Sequence, residues 1–164
     1  MKILVMSDSH SSLRLMRSAV AAIKPNAIIH LGDYFDDGEA IREENMEISF
    51  HQVPGNCDRH RMYQPRPEIL CYDVCGVRLY MTHGHIHKVK LGLFSLLQDA
   101  KMAKAKAVLF GHTHVAHCRQ EDGMWILNPG SCGHGDGSVG LIEVENGEIV
   151  SCRILRQEDW EDIT

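Results

Sequence analysis

Asp8 and His10 stand two residues apart in a turn that directly follows an apolar run at residues 3–6. A carboxylate and an imidazole at that spacing can place both heads on one cation, and strand ends of this kind are where open α/β sheets take ligands. An Asp after a strand also serves as a helix cap, and Ser11 or Ser12 could equally cap the next helix. The pattern then repeats. Residues 27–31 are apolar and end in Gly32-Asp33, and residues 48–53 end in Pro54-Gly55, followed by Asn56, Cys57 and Asp58. Residues 77–82 run into His83-Gly84-His85-Ile86-His87, and residues 107–110 into Gly111-His112-Thr113-His114. The strand-end heads are thus Asp8, His10, Asp33, Asn56, His83, His112 and His114. Carboxylate, imidazole and amide donors, with no thiolate apart from the ambiguous Cys57, suit Mn²⁺, Fe²⁺, Ni²⁺ or Zn²⁺. Seven donors exceed one tetrahedral site. They fit two ions that share one carboxylate, each keeping a position for water or substrate.

The elements that must position these residues are legible from periodicity. The uninterrupted run at 3–6 suits a strand covered on both faces. Leu13, Met16, Val20 and Ile23 recur at helical spacing, which predicts a helix stopping at Lys24 before Pro25. Because strand-helix-strand crossovers are right-handed, Asp33 is expected at the same sheet edge as Asp8. His30 falls inside the second strand and reads as a core histidine. Residues 34–45 read as an acidic loop with a short helix around 39–44, which leaves Asp36 and Asp37 on a solvated loop. Residues 59–67 are polar and proline-punctuated, a loop. Residues 69–74 and 77–82 flank Cys75-Gly76 as a hairpin. Leu91, Phe94 and Leu97 predict a further helix, with Lys101, Lys104 and Lys106 at its wet end. From Val115 the chain reads as antiparallel strands, turning at Asp122-Gly123 and Asn146-Gly147. The acidic tail from Gln157 is expected to fray.

At 164 residues the chain is the size of one domain, here 1–164, and can bury roughly two-thirds of its unfolded surface. Its net charge of −5 gives no general attraction to nucleic acid or to an anionic membrane. No apolar run approaches the ~20 residues that span a bilayer, and Met1-Lys2 leads straight into a strand rather than a signal peptide. The expected location is therefore cytoplasmic. Six cysteines without a C-x-x-C pair read mostly as buried reduced thiols. Eleven histidines are the compositional anomaly, and they gather in loops after apolar runs.

Asp8-Ser9-His10, Gly32-Asp33, Gly55-Asn56-Cys57-Asp58, His83-Gly84-His85 and Gly111-His112-Thr113-His114, in this order, resemble the five blocks of calcineurin-like metallophosphoesterases. Cys57, the short length and the downstream Asn128-Pro129-Gly130-Ser131 are most similar to the YfcE-type small phosphodiesterases. The resemblance runs from Lys2 to about Arg153. It implies a two-sheet β sandwich flanked by helices, an α/β (α+β) αββα architecture. It also implies one ion on Asp8, His10 and His114, another on Asn56, His83 and His112, and Asp33 bridging them. The implied activity is hydrolysis of small phosphodiesters by in-line attack of a metal-bridging hydroxide, the ion pair lying about 3.5–4 Å apart. Mn²⁺ is the first expectation, with Ni²⁺, Fe²⁺ or Zn²⁺ as alternatives, and relatives are often dimers or larger.

Two positions depart from the pattern. Cys57 stands where many relatives carry a histidine that assists the leaving group, and an ordinary thiol is a poor substitute for imidazolium. Good leaving groups are then favoured, or His85 or water supplies the proton. Gly133-His134-Gly135 stands where some relatives place arginine. Histidines 51, 60, 117 and 134 read as exposed or ordinarily packed, and Asp58 as either a loop cap or a support for a ligand histidine. The competing reading is a protein-interaction scaffold resembling the small retromer subunit, which has this fold with an eroded metal site; a nuclease lacks support in the charge.

Overall fold

A computed structural model describes residues 1–135 and 137–161, with the side chain of residue 161 excluded. The chain runs β1 (Lys2–Met6), α1 (Leu13–Ile23), β2 (Ala27–His30), α2 (Phe35–Glu44), β3 (Ser49–Gln52), β4 (Ile69–Val74) and β5 (Val77–Thr82). It continues α3 (Phe94–Met102), β6 (Ala107–Leu109), β7 (His117–Glu121), β8 (Met124–Asn128), β9 (Ser138–Glu145), β10 (Glu148–Arg156) and α4 (Gln157–Glu161). Two five-stranded sheets form, ordered β10-β9-β1-β2-β3 and β4-β5-β6-β8-β7.

Strand alternation builds three apolar layers. Ile3 and Val5 of β1 and Ile29 of β2 face Leu79, Met81, Leu109 and Leu127 of the second sheet in the central layer. Their neighbours Leu4, Met6 and Ile28 point the other way, onto Met16, Ala19, Val20 and Ile23 of α1 and Ile41 of α2. On the far side, Tyr80, Val108 and Ile126 meet Leu96 and Ala100 of α3. This is the expected αββα sandwich. Each buried Leu, Ile, Val or Met contributes roughly 1.5–3 kcal/mol, so the outer layers hold their helices more firmly than helix propensity could.

Helix α1 ends as predicted: Lys24 adopts a left-handed conformation and its N–H bonds the Val20 carbonyl at 3.0 Å. β1, β2 and β3 are parallel neighbours, so Asp8, Asp33 and Asn56 follow strands that run the same way.

Several expectations are corrected. The helix read at 39–44 starts at Phe35, because Asp58 Oδ1 accepts the backbone N–H groups of both Tyr34 and Phe35 at 2.8 Å. That cap comes from a distant segment. Leu91 and Phe94 are 87% and 76% exposed, and α3 is instead anchored by Leu96 and Ala100. The two hairpins read after Val115 do form, β7 with β8 and β9 with β10, while β8 also pairs in parallel with the earlier β6. The tail from Gln157 is anchored: Trp160 is fully buried against α1 and its Nε1–H reaches Ser18 Oγ at 3.2 Å. Residues 162–164 of that tail lie outside the described residues. Of the six free cysteines only Cys132 and Cys152 are buried, while Cys57 is exposed. Among the described residues no helix is long and apolar enough to cross a membrane.

Candidate metal centre

Five of the seven predicted donors occupy left-handed backbone: Asp8 (φ 53°), His10 (44°), Asp33 (57°), His112 (68°) and His114 (59°). A residue with a Cβ is strained there, and such strain persists only where the surroundings enforce it. The enforcing contacts are specific. Gly32, at φ 96°, lies so close to Pro54 and Gly55 that a Cβ would fall 2.4 Å from the Gly55 nitrogen. A Cβ on Gly55 would fall 2.1 Å from Asp33 Oδ1, and one on Gly111 2.7 Å from Asp8 Oδ2. Glycine at 55 and 111 leaves room for those carboxylates.

Hydrogen bonds fix each turn from outside. Asp37 is buried, and its Oδ2 accepts Ser9 Oγ–H at 2.7 Å and Ser11 N–H at 2.8 Å, which pins the Asp8 to His10 turn. The solvated loop expected for Asp37 is thereby corrected. Buried His30 presents Nε2 to Ser9 Oγ at 3.3 Å, a core histidine as expected. Asn128 donates to the Gly111 carbonyl (3.0 Å) and Thr113 Oγ1 (2.9 Å), tying the Asn-Pro-Gly-Ser loop to the turn that carries His112 and His114. Ser131 Oγ–H bonds the Asp8 carbonyl at 2.7 Å. Asp58 proves to be a loop cap, its carboxylate accepting N–H groups from Asp33, Tyr34, Phe35 and Gly55.

At the centre, Asp8, His10, Asp33 and His114 bring one donor atom each within 4.8 Å of one another. His10 Nε2 and His114 Nε2 are 3.4 Å apart. Asp8 Oδ2 is satisfied by Ser7 Oγ–H at 2.5 Å and His112 N–H at 3.1 Å. Asp8 Oδ1 is buried and has no hydrogen-bond partner, although His114 Nε2 lies 3.0 Å away and His83 Nε2 3.9 Å away. An orphaned carboxylate oxygen ringed by imidazole nitrogens is the environment a cation satisfies.

The second half is built around His83. Its Nδ1–H donates to the Leu31 carbonyl at 2.7 Å, which turns Nε2 toward Asn56 Oδ1 (3.1 Å) and Asp33 Oδ2 (3.5 Å). The His112 ring stands 5.1 Å from that of His83. His85 sits one layer back, with its ring 5.4 Å from His83 and Nε2 3.3 Å from Glu68 Oε1. Exposed Cys57 donates its backbone N–H to Asp33 Oδ1 at 2.9 Å and presents its thiol at the rim.

The electrostatics follow from this packing. Burial opposes ionisation of Asp33, but the bonds from His83 and the Cys57 N–H outweigh it and hold the carboxyl well below the usual range. Burial likewise opposes a charge on His83, and Asp33 with Asp8 outweighs it, so this ring holds a proton more tightly than usual. Burial and neighbouring His83 and Lys90 push His112 down to about 4. Burial, then His134, lowers His10, while burial, then His83, lowers His85. Burial and Asp33 raise the Cys57 thiol, which stays protonated at neutral pH.

His134, expected to be exposed or ordinarily packed, is exposed, and its ring stands beside the centre. Its ring centroid lies 4.5 Å from that of His10 and 5.3 Å from that of His114. The departure at Gly133-His134-Gly135 was the only available signal, and it did not say where the loop would lie.

Comparison with known proteins gives the family and agrees with the fold. The family model for the calcineurin-like phosphoesterase superfamily domain matches residues 1–147. A phosphodiesterase of Methanocaldococcus jannaschii is 26% identical over 166 residues, spanning 90% of this chain and 96% of its own length. A predicted phosphoesterase from Streptococcus pneumoniae superposes with a TM-score of 0.75 at 25% identity, covering 96% of this chain and 90% of its own. Two further structures share the fold. The E. coli phosphoesterase YfcE has a TM-score of 0.64 at 20% identity, covering 93% of this chain and 98% of its own. Vacuolar protein sorting 29 from Cryptosporidium parvum has 0.70 at 16%, covering 94% and 97%.

Proposed function

The chain belongs to the calcineurin-like phosphoesterase superfamily, and from that premise we propose that it is a metal-dependent phosphodiesterase acting on small phosphodiesters. One divalent ion would be held by Asp8, His10 and His114, a second by Asn56, His83 and His112, with Asp33 between them; Mn²⁺ is the first candidate for both. The observation that carries this reading is Asp8 Oδ1, a buried oxygen without a hydrogen-bond partner among the imidazoles of His83 and His114. The mixed oxygen and nitrogen donor set fits the borderline and harder divalent ions.

When bound, such an ion pair lowers the pKa of a water and neutralises charge on the phosphoryl oxygens. The chain's own residues do the positioning. Asp33 stays ionised at every working pH, because its carboxyl is held well below the usual range. His83 is oriented by its bond to the Leu31 carbonyl, which fixes which nitrogen faces the centre. Asn56 presents a neutral amide, able to orient a phosphate oxygen without repelling it. Cys57 cannot protonate a leaving group efficiently with a raised pKa, so esters with good leaving groups are favoured, unless His85 or water delivers the proton.

Diesters are preferred over monoesters in this reading on the strength of the archaeal relative's name. The test is hydrolysis of bis(p-nitrophenyl) phosphate and of the corresponding monoester, with Mn²⁺ and with chelator. Turnover of the diester that depends on Mn²⁺ supports the proposal; no turnover and no bound metal favour the scaffold alternative. Seven donor-type residues at the strand ends, five of them on left-handed backbone, argue against that alternative.

A further inference from the structure

His134 is held in place by the same turn that carries Asp8 and His10. The Cys132 N–H bonds the Ser7 carbonyl at 3.1 Å, and Ser131 Oγ, itself bonded to the Asp8 carbonyl, accepts the N–H groups of Gly133 (3.1 Å) and His134 (3.0 Å). Gly133 lies against this turn so tightly that a Cβ would fall 1.9 Å from the Ser9 carbonyl oxygen. The backbone from which His134 projects is therefore built onto the metal turn. Its imidazole joins those of His10 and His114 in a second group, with one donor atom from each ring within 4.8 Å of the others. A cation between them has three nitrogen ligands.

We propose that His134 is an additional metal ligand, forming with His10 and His114 a three-imidazole outer position that the first ion occupies in place of the inner, carboxylate-bound one when it is Zn²⁺ or Ni²⁺ rather than Mn²⁺. The inference rests on the metal-dependent reading above and deepens it by assigning an ion class. The inner group pairs two imidazoles with two carboxylates, a set that accommodates Mn²⁺. The outer group is all nitrogen, which favours the later, softer divalent ions. Three histidines around Zn²⁺ also leave a fourth position for water or a phosphate oxygen.

The test uses the full chain, stripped with chelator and titrated separately with Zn²⁺ and Mn²⁺ by equilibrium dialysis and elemental analysis, for the wild type, His134→Ala and His134→Asn. The expected result is a loss of at least about tenfold in Zn²⁺ affinity at one site in both variants, with Mn²⁺ affinity changed by less than about threefold. Equal losses for the two ions, or no loss of Zn²⁺ affinity, would overturn the assignment. A second readout needs no variant: electron paramagnetic resonance of the Cu²⁺-loaded wild type should show an ion coupled to three nitrogens, and two or fewer at every site would contradict the proposal. Wild-type protein that binds neither ion removes the phosphodiesterase reading as well, whereas two bound Mn²⁺ with Zn²⁺ affinity insensitive to residue 134 removes only this inference.

Discussion

Asp58 Oδ2 accepts the backbone N–H of Asp33 at 3.0 Å, so a carboxylate after the third strand sets the position of the carboxylate after the second. The same side chain accepts three more N–H groups, from Tyr34, Phe35 and Gly55, between 2.7 and 2.8 Å. Charge-assisted bonds to backbone donors contribute roughly 1.5–3 kcal/mol each net of solvation and leave buried donors unpaired when lost. Asp58→Asn turns an amide NH₂ toward some of these donors. Chemical denaturation should show a loss of about 2–4 kcal/mol, and Mn²⁺ titration a loss of about 10–100-fold in affinity. Unchanged values in both would remove Asp58 from its supporting role.

The thermal midpoint of the metal-free protein should fall as pH is lowered from about 6.5 toward 4. His112 has a pKa of about 4 in the folded chain against 6.5 when unfolded, so over this window the unfolded state takes up the proton first and acid favours unfolding. His83 works oppositely: its raised folded pKa adds stability that is fully present below 6.5 and is lost at higher pH, as the folded ring deprotonates. His112→Asn should flatten the acid limb between 6.5 and 4, and an unaltered limb would contradict the assignment.

Cys57→His should restore an acid near the leaving group. The expected change is a shallower dependence of rate on leaving-group pKa, with alkyl esters gaining about 10²-fold or more from general acid catalysis. The check is a series of aryl and alkyl phosphodiesters, and no change in slope would discard leaving-group protonation as the function lost at this position.

Trp160→Ala should destabilise the chain by about 3–5 kcal/mol, since this ring is fully buried against α1. Urea unfolding measures it, and a change under 1 kcal/mol would restore the frayed tail expected from composition.

Much of this molecule can be read from its sequence because its local signals agree. The hairpin at Cys75-Gly76 has the predicted strand limits, and Met16, Val20 and Ile23 of the α1 stripe are buried, with Leu13 half-buried. What stayed hidden depends on distant partners. Helix α2 starts early because Asp58 caps it from beyond β3, and Asp37 is buried because Ser9 and Ser11 reach it. Phe94 satisfies a helical period yet faces outward, since period alone does not say which side of α3 meets the sheet. The seven strand-end residues proposed as donors were visible because parallel strands deliver their ends to one edge. His134 was not, because a loop after β8 can be placed only when Gly133 is seen against Ser9.

The most direct test is an anomalous-scattering map at the manganese edge from crystals of the wild-type protein soaked in Mn²⁺. Two peaks flanking the Asp33 carboxylate are predicted, one touching Asp8, His10 and His114 and the other touching Asn56, His83 and His112. A map with no peak at Asp33, or with a single peak that Asp33 does not touch, would contradict the dinuclear centre and the hydrolase built on it.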